Sequence, residues 1–346
     1  MFVYPVDTMD TDLSPRCSVQ PHMPEASSEA APQRFPVTGR KVTPRTEWVE
    51  ITVRTVLNRV LGMPFKWSIN PYRGCAHKCP YCYARLTHWY LGQDGVNDWS
   101  SRIFVKVNAP DVLRGELARP SWRREAVSIG TATDPYQPAE GAYRITRRIL
   151  QALRDFGTPV CLVTKSTMVL RDRDVLVDLA RGPGAFVYFS LATVDAKLAR
   201  ELEPDTPPPP RRLQAMEMLA NAGIPVGVLL APVLPGLTDD EDHLSAVVLA
   251  AKRHGARSLG TTLLHLGEVT RQAFFQYLEH KHPDLVPEYA RLYRGKYAPR
   301  AYQKRVHEVV AALRRRANFT SPPPTVGRGL GRNVPGPPLV EQQRLF

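Results

Sequence analysis

The chain has 346 residues, of which 46 are Lys or Arg and 33 are Asp or Glu, giving a formal net charge of +13; that length suits one large domain or two modest ones. Its five cysteines are too few and too clustered for a secreted disulfide framework, and they point to a reducing cytosol. The opening (MFVYPVDTMDTD) has no basic-then-apolar leader and no run of about eighteen apolar residues occurs, so the expectation is a cytoplasmic protein with no membrane span.

Residues 1–45 are polar, rich in Pro, Ser and Thr, and lack sustained periodicity. They predict a disordered leader, with order beginning near Trp48. From 46 to 268 short apolar runs alternate with amphipathic ones. The apolar runs predict strands at 65–69, 103–107, 126–129, 160–164, 186–191, 226–230 and 258–264. Helices are predicted at 143–156, 211–222 and 239–254, stopping at Gly157, Gly223 and Gly255, and the third opens on acidic residues that suit a helix N-terminus. Such alternation implies an α/β protein with parallel strands and crossover helices, and chemistry at the C-terminal ends of the strands. Polar residues gather there: Asn70 to Gly74, Gly130 to Tyr136, Thr164-Lys165-Ser166, and Ser190. Turn chemistry alone favours the same residue types, but their recurrence after successive strands favours a shared site.

Helices at 269–278 and 299–316 form a C-terminal helical extension over 269–318, the second amphipathic with a basic outer face. Residues 319–346, rich in Pro and Gly, predict a flexible tail. From Asp284 to Phe346 there are twelve Lys or Arg and four Asp or Glu. That excess keeps nucleic acid open as substrate or partner, against the plain alternative of a solvated Arg-rich surface.

Cys75, Cys79 and Cys82 stand in the run CAHKCPYC, a C-x3-C-x2-C motif. Clustered thiolates are soft ligands that suit an iron–sulfur cluster or zinc. Electron-transfer clusters take four cysteines, whereas three leave one iron free for a non-protein ligand. The zinc alternative needs His77 or His88 as a fourth ligand, and no second Cys or His pair lies nearby. Cys161, inside the apolar run PVCLVT, reads as a small buried hydrophobe, and Cys17 is assigned no role.

The segment 68–85 (SINPYRGCAHKCPYCYAR) resembles the signature of the radical S-adenosylmethionine (radical SAM) superfamily, and more narrowly its spore photoproduct lyase-like branch. The resemblance extends over residues 50–295, including GTATDPYQPAE at 130–140, Thr164-Lys165-Ser166, Ser190-Leu191, Glu203-Pro204 with Arg212, and APVLPG at 231–236. It implies a partial (β/α)6 TIM-type barrel, so one of the seven strand candidates, 103–107, is an addition to the core six. It also implies a 4Fe-4S cluster on Cys75, Cys79 and Cys82 whose free iron is chelated by S-adenosylmethionine. Reductive cleavage then gives a 5′-deoxyadenosyl radical that abstracts hydrogen from an unidentified substrate, and a flavodoxin- or ferredoxin-like donor supplies the electron. Carried over position by position, Tyr83, Thr133, Lys165 and Ser190 are the implied cofactor-binding residues. Lys165 has a physical reason, since an ammonium pairs with the methionyl carboxylate. For Asp134 and Glu140, helix capping weighs against substrate binding.

One departure bears on the reaction. The lyase returns a hydrogen atom to its product from a cysteine just before its Thr-Ser-Asp stretch, and here that position is Thr131. A hydroxyl O–H bond is much stronger than a thiol S–H bond, so DNA photoproduct repair by the lyase route is disfavoured. The remaining competing readings are a non-enzymatic iron–sulfur electron carrier and a zinc-binding module.

Overall fold

The computed structural model describes residues 36–43, 46–89 and 91–319. The start of the expected leader, with Cys17, and the expected tail beyond Phe319 lie outside the described residues. Strands β1 (Val37–Val42) and β2 (Glu47–Ile51) pair antiparallel, and β3 (Asn58–Arg59) forms a short hairpin with β4 (Trp67–Ile69). β5 (Tyr72–Arg73) leads into the cysteine loop, which ends at the single turn α1 (Leu86–Trp89), and β6 (Arg102–Lys106) and α2 (Ala109–Leu117) follow. Next come β7 (Val127–Ile129), α3 (Pro138–Tyr143), α4 (Ile145–Asp155), β8 (Val160–Thr164) and α5 (Arg173–Arg181). β9 (Ala185–Ser190), α6 (Ala196–Leu202), α7 (Pro209–Asn221), β10 (Val226–Val233), α8 (Glu241–Arg253) and β11 (Ser258–Leu263) continue the pattern. Helices α9 (Glu268–Lys281), α10 (Val286–Leu292) and α11 (Arg300–Arg316) close the described chain.

β4, β7, β8, β9, β10 and β11 lie side by side in that order, every neighbouring pair parallel. These are the six strands of a partial (β/α)6 barrel, left open between β11 and the β3–β4 hairpin. The predicted strand at 103–107 is indeed outside the six: as β6 it sits in a second sheet ordered β1-β2-β6-β5. Parallel strands covered on both faces read as continuous apolar runs, which is why VCLVT in β8 and VGVLLAPV in β10 are so legible. Helix α4 buries Ile145, Ile149, Leu150 and Leu153 at helical spacing, each burial worth about 1.5–3 kcal/mol.

The leader reading is corrected at its end. Residues 37–42 form β1, with Val42 opposite Glu47 and Val37 opposite Ile51. Most of its side chains are exposed, so it is held by backbone pairing with the Arg40–Glu47 and Lys41–Trp48 contacts beside it, and no apolar period advertises it. Phe319, read as the first residue of the tail, is buried beneath the Lys252 ammonium, 5.0 Å from its ring centre.

The barrel interior is filled from β9 toward β10. Phe186 and Tyr188 stack at 4.6 Å over Gly227, where a Cβ would fall 2.7 Å from the Tyr188 ring, 2.8 Å from the Ser258 carbonyl and 2.9 Å from the Phe186 ring. Gly227→Val is therefore expected to destabilise the fold by about 1–3 kcal/mol through overpacking. A urea melt checks this, and a wild-type midpoint would contradict the packing described.

Candidate active site

The cysteine loop begins where β5 meets Gly74, which has φ +82 and no room for a side chain. A Cβ there would lie 2.8 Å from the Arg102 carbonyl and 2.8 Å from the His88 ring. An irregular loop buried in this way must find partners for its backbone polar groups. The loop after β7 and the helix behind it supply them. Thr133 Oγ1 donates to the Gly74 carbonyl at 2.6 Å, Gln137 Nε2 donates to the same carbonyl at 3.1 Å, and Gln137 Oε1 accepts from Ala76 N at 3.0 Å. The buried Arg85 guanidinium donates to the Cys79 carbonyl at 3.1 Å and, on its other side, to Val96 O at 2.8 Å. From the C-terminal extension, Thr270 Oγ1 donates to the Cys82 carbonyl at 3.2 Å.

Two polar anchors complete the docking. His77 Nδ1 lies 3.5 Å from Asp134 Oδ2, and Asp134 also accepts from Thr164 Oγ1 at 2.8 Å, Lys165 N at 2.7 Å and Tyr136 N at 2.8 Å. The Tyr81 hydroxyl donates to Glu203, whose other oxygen holds Arg212 at 2.5 Å. Burial alone would push the Glu203 carboxyl up, but Arg212 and Lys165 outweigh it and hold it below the ordinary value, ionised. Lys165 shows the mirror case. Burial pulls its ammonium down, and Glu203, 3.8 Å away, more than restores it.

Cys75, Cys79, Cys82, Tyr83, Thr133, Lys165 and Ser190 all line one cavity at the C-terminal ends of the strands, with Thr131, Asp134, Cys161, Tyr188 and His265. The Thr133 proton is committed to Gly74, so its hydroxyl can only accept further. Ser190 Oγ donates to the Ala231 carbonyl at 3.2 Å, and the Tyr83 hydroxyl reaches the Thr131 carbonyl. Thr131 keeps its own hydroxyl within 3.1 Å of the Asn70 amide nitrogen.

Several residues do other work than expected. Asp134 caps no helix and instead staples β8 and His77 to the β7 loop. Glu140 does cap: it accepts from Thr146 N at 2.8 Å and Arg147 N at 3.3 Å in the first turn of α4. His88 is turned away from the thiols, its Nε2 bonded to Arg102 O at 2.9 Å and its ring packed on Trp99 and Phe104. Cys161 is a buried hydrophobe packed with Phe186, Tyr188 and Leu229, and it also lines the cavity wall. Asn70, Arg85 and Gln137 stand in segments that the sequence singled out, but no individual role was read for them there. Asn70 and Gln137 bond to residues 61 positions away, so no local pattern marks them, whereas Arg85 reaches only from Cys79 to Val96 across its own loop.

The donor set suits a cluster. Three clustered thiols are soft donors of the kind an iron–sulfur cluster takes, and all three line one cavity. Burial raises all three thiols, Cys79 to about 12, so a metal bound to them would have to expel their protons.

The comparisons agree with this geometry. The radical SAM superfamily profile matches residues 69–247, just over half the chain. Uncharacterized proteins of Mycobacterium tuberculosis and Mycobacterium bovis are 42% identical over 268 residues, covering 76% of this chain and 79% of theirs. A radical SAM Nalpha-GlyT isomerase of Pseudomonas phage M6 is 27% identical over 177 residues, covering 50% of this chain and 35% of that protein. Among solved structures, spore photoproduct lyase complexed with dinucleoside spore photoproduct shares the fold with TM-score 0.61 and 16% identity, covering 80% of this chain and 81% of the lyase. The chain belongs to the radical SAM superfamily and is an enzyme of that class, a class that works with S-adenosylmethionine and a 4Fe-4S cluster.

Gln137→Ala is expected to cost about 1–3 kcal/mol by stranding Gly74 O and Ala76 N, and to halve or worse the iron taken up on reconstitution. Iron and sulfide assays beside a thermal melt check this, and full loading would show that Gln137 does not hold the loop.

Proposed function

We propose that Cys75, Cys79 and Cys82 hold a 4Fe-4S cluster and that Lys165 receives the methionyl carboxylate of S-adenosylmethionine. The carrying observation is that the three thiols and Lys165, from distant parts of the chain, line one cavity. Bound there, cluster and cofactor supply a 5′-deoxyadenosyl radical that takes hydrogen from the substrate. The protein's own part is to bind, orient and exclude water. Lys165 has one ionic contact at 3.8 Å and lies 5.7 Å over the Tyr81 ring, so its ammonium keeps donors to spare. Ser190 and Thr133 offer oxygens beside it, and Tyr83 walls the loop side. Cluster, cofactor and the reacting part of a substrate would meet in this one cavity.

Nucleic acid is the substrate class that the surface favours. Ser128, Cys161, Val163, Tyr188 and Leu229 line the cavity and bear no formal charge, which suits an uncharged ring. At the mouth the His265 ring sits 4.8 Å from Tyr297, which lies under the Lys296 ammonium at 5.5 Å. Burial lowers His265 to about 4, so it is a neutral surface for stacking. Aromatic faces beside cations are how unpaired bases are held. Photoproduct reversal is the weaker reading, because Thr131 stands where the lyase has its hydrogen-donating cysteine. We place the enzyme in the cytoplasm, with a low-potential flavodoxin- or ferredoxin-like electron donor. Free, buried thiols fit a reducing compartment, and no helix among the described residues is long and apolar enough to cross a membrane.

Anaerobically reconstituted protein reduced with dithionite is expected to convert S-adenosylmethionine to 5′-deoxyadenosine, with Cys79→Ala inactive and Lys165→Gln raising KM about tenfold or more. Chromatography of the quenched reaction reads this out, and cleavage by Cys79→Ala would show the ligands to be wrong. For the substrate, single-stranded oligonucleotide is expected to bind with an affinity that falls steeply between about 50 and 200 mM salt, as each phosphate contact releases a counterion. Irradiated DNA should show no dimer reversal. Salt-independent or absent binding in a fluorescence anisotropy titration would remove nucleic acid.

A further inference from the structure

Glu203 and Arg212 are singled out by the sequence yet do no work in the proposal above. We infer that Glu203 is the positioning residue that couples the cysteine loop to the carboxylate subsite at Lys165, an inference that rests on the Lys165 reading.

Glu203 is the residue at which α6 ends, and it is buried with Arg212 and Tyr81. Its Oε2 is given to Arg212 Nη2 at 2.5 Å. Arg212 has no freedom left, since Nε donates to Pro207 O at 2.6 Å, Nη1 to Ser190 O at 3.1 Å, and Nη2 also to Thr206 Oγ1. Arg212 thereby ties Glu203 to the end of β9, a rigid part of the barrel. The other oxygen, Oε1, has two claimants: the Tyr81 hydroxyl from between Cys79 and Cys82, and the Lys165 ammonium at 3.8 Å. Tyr81 is engaged at both ends, its hydroxyl on Glu203 and its ring face under Lys165. Where the loop sits therefore decides where the Lys165 head sits.

Charge balance gives the arrangement its direction. Arg212 and Lys165 carry two positive charges against one carboxylate, in a place where an uncompensated charge is costly. Arg212 is fully paired, so the excess falls on Lys165, and an incoming carboxylate completes the set. Because that carboxylate and Oε1 compete for one ammonium, anything that shifts Oε1 changes how strongly Lys165 takes its ligand.

Two variants test this. Tyr81→Phe keeps the ring under Lys165 and removes only the hydroxyl that reaches Glu203. Glu203→Gln keeps the shape and removes the charge. Each is reconstituted anaerobically to the wild-type iron content. S-adenosylmethionine and 5′-methylthioadenosine, which lacks the methionyl amine and carboxylate, are then titrated by equilibrium dialysis. The Kd for S-adenosylmethionine is expected to rise about threefold to tenfold in Tyr81→Phe and about tenfold or more in Glu203→Gln. The double variant should match Glu203→Gln alone, because both act through one carboxylate, and methylthioadenosine should bind all of them as it binds wild type. Unchanged S-adenosylmethionine affinity in Tyr81→Phe, an equal loss for methylthioadenosine, or additive effects in the double variant would overturn the coupling. Tyr81→Phe decides alone if Glu203→Gln does not fold. Wild-type protein that binds no S-adenosylmethionine would instead remove the Lys165 reading on which the inference rests.

Discussion

Burying an irregular loop is the constraint on which the rest of the structure depends. Helices and strands satisfy their own backbone groups, whereas the cysteine loop cannot, and it still has to present three thiols inside a cavity. Every unpaired N–H or C=O there would cost on the order of 1–3 kcal/mol. The barrel answers with side chains that face the loop: Thr133 and Gln137 at Gly74 and Ala76, Arg85 at the Cys79 carbonyl, Asp134 at His77 and Glu203 at Tyr81. Polar residues at the strand ends are thus in large part the loop's hydrogen-bonding frame. Only those with capacity left over, Lys165 above all, remain free to meet a ligand.

The C-terminal extension closes the loop's other side. Cys79 and Tyr81 pack in one apolar cluster with Leu264, Phe274, Leu278, Tyr289 and Tyr293, while Thr270 holds the Cys82 carbonyl. An open six-stranded barrel leaves such a loop wet on its outer face, and α9 and α10 dry it. Water near a radical or a reduced cluster opens side reactions, so covering the loop and walling the cavity serve the same chemistry from opposite sides. The Tyr289 hydroxyl donates to Pro235 O at 2.8 Å and that of Tyr293 to Leu264 O at 3.2 Å, which locks the extension onto the ends of β10 and β11.

What was legible beforehand follows from how far each residue's work reaches along the chain. The six barrel strands carry their signal within a few neighbouring positions, as largely apolar runs bounded by turn residues, and three thiols at fixed spacing announce soft-metal chemistry by themselves. β1 carries no such signal, because most of its side chains face solvent and what holds it lies across the hairpin on β2. Gln137 and Asn70 reach partners 61 positions away, and Tyr81 finds Glu203 at a separation of 122. Nothing local distinguishes such a Gln or Asn from a surface residue. The same holds for Asp134, whose position suggests a cap and whose four partners come from three different segments.

The distribution of charge in the cavity carries the synthesis one step further. The charged side chains of the lining, Lys165 and Asp134, stand where the strands end beside the cysteine loop, with Glu203 and Arg212 behind Lys165. Away from that end the lining is Ser128, Cys161, Val163, Tyr188 and Leu229, with no formal charge. A cofactor with a zwitterionic methionyl group needs the charged end, and in low dielectric those charges act strongly because little water screens them. A radical, by contrast, is uncharged and gains nothing from ion pairs; it needs walls that hold the substrate still and keep solvent out. The protein meets the two demands in a single cavity, and Glu203, behind Lys165, ties the charged end to the thiol loop through Tyr81.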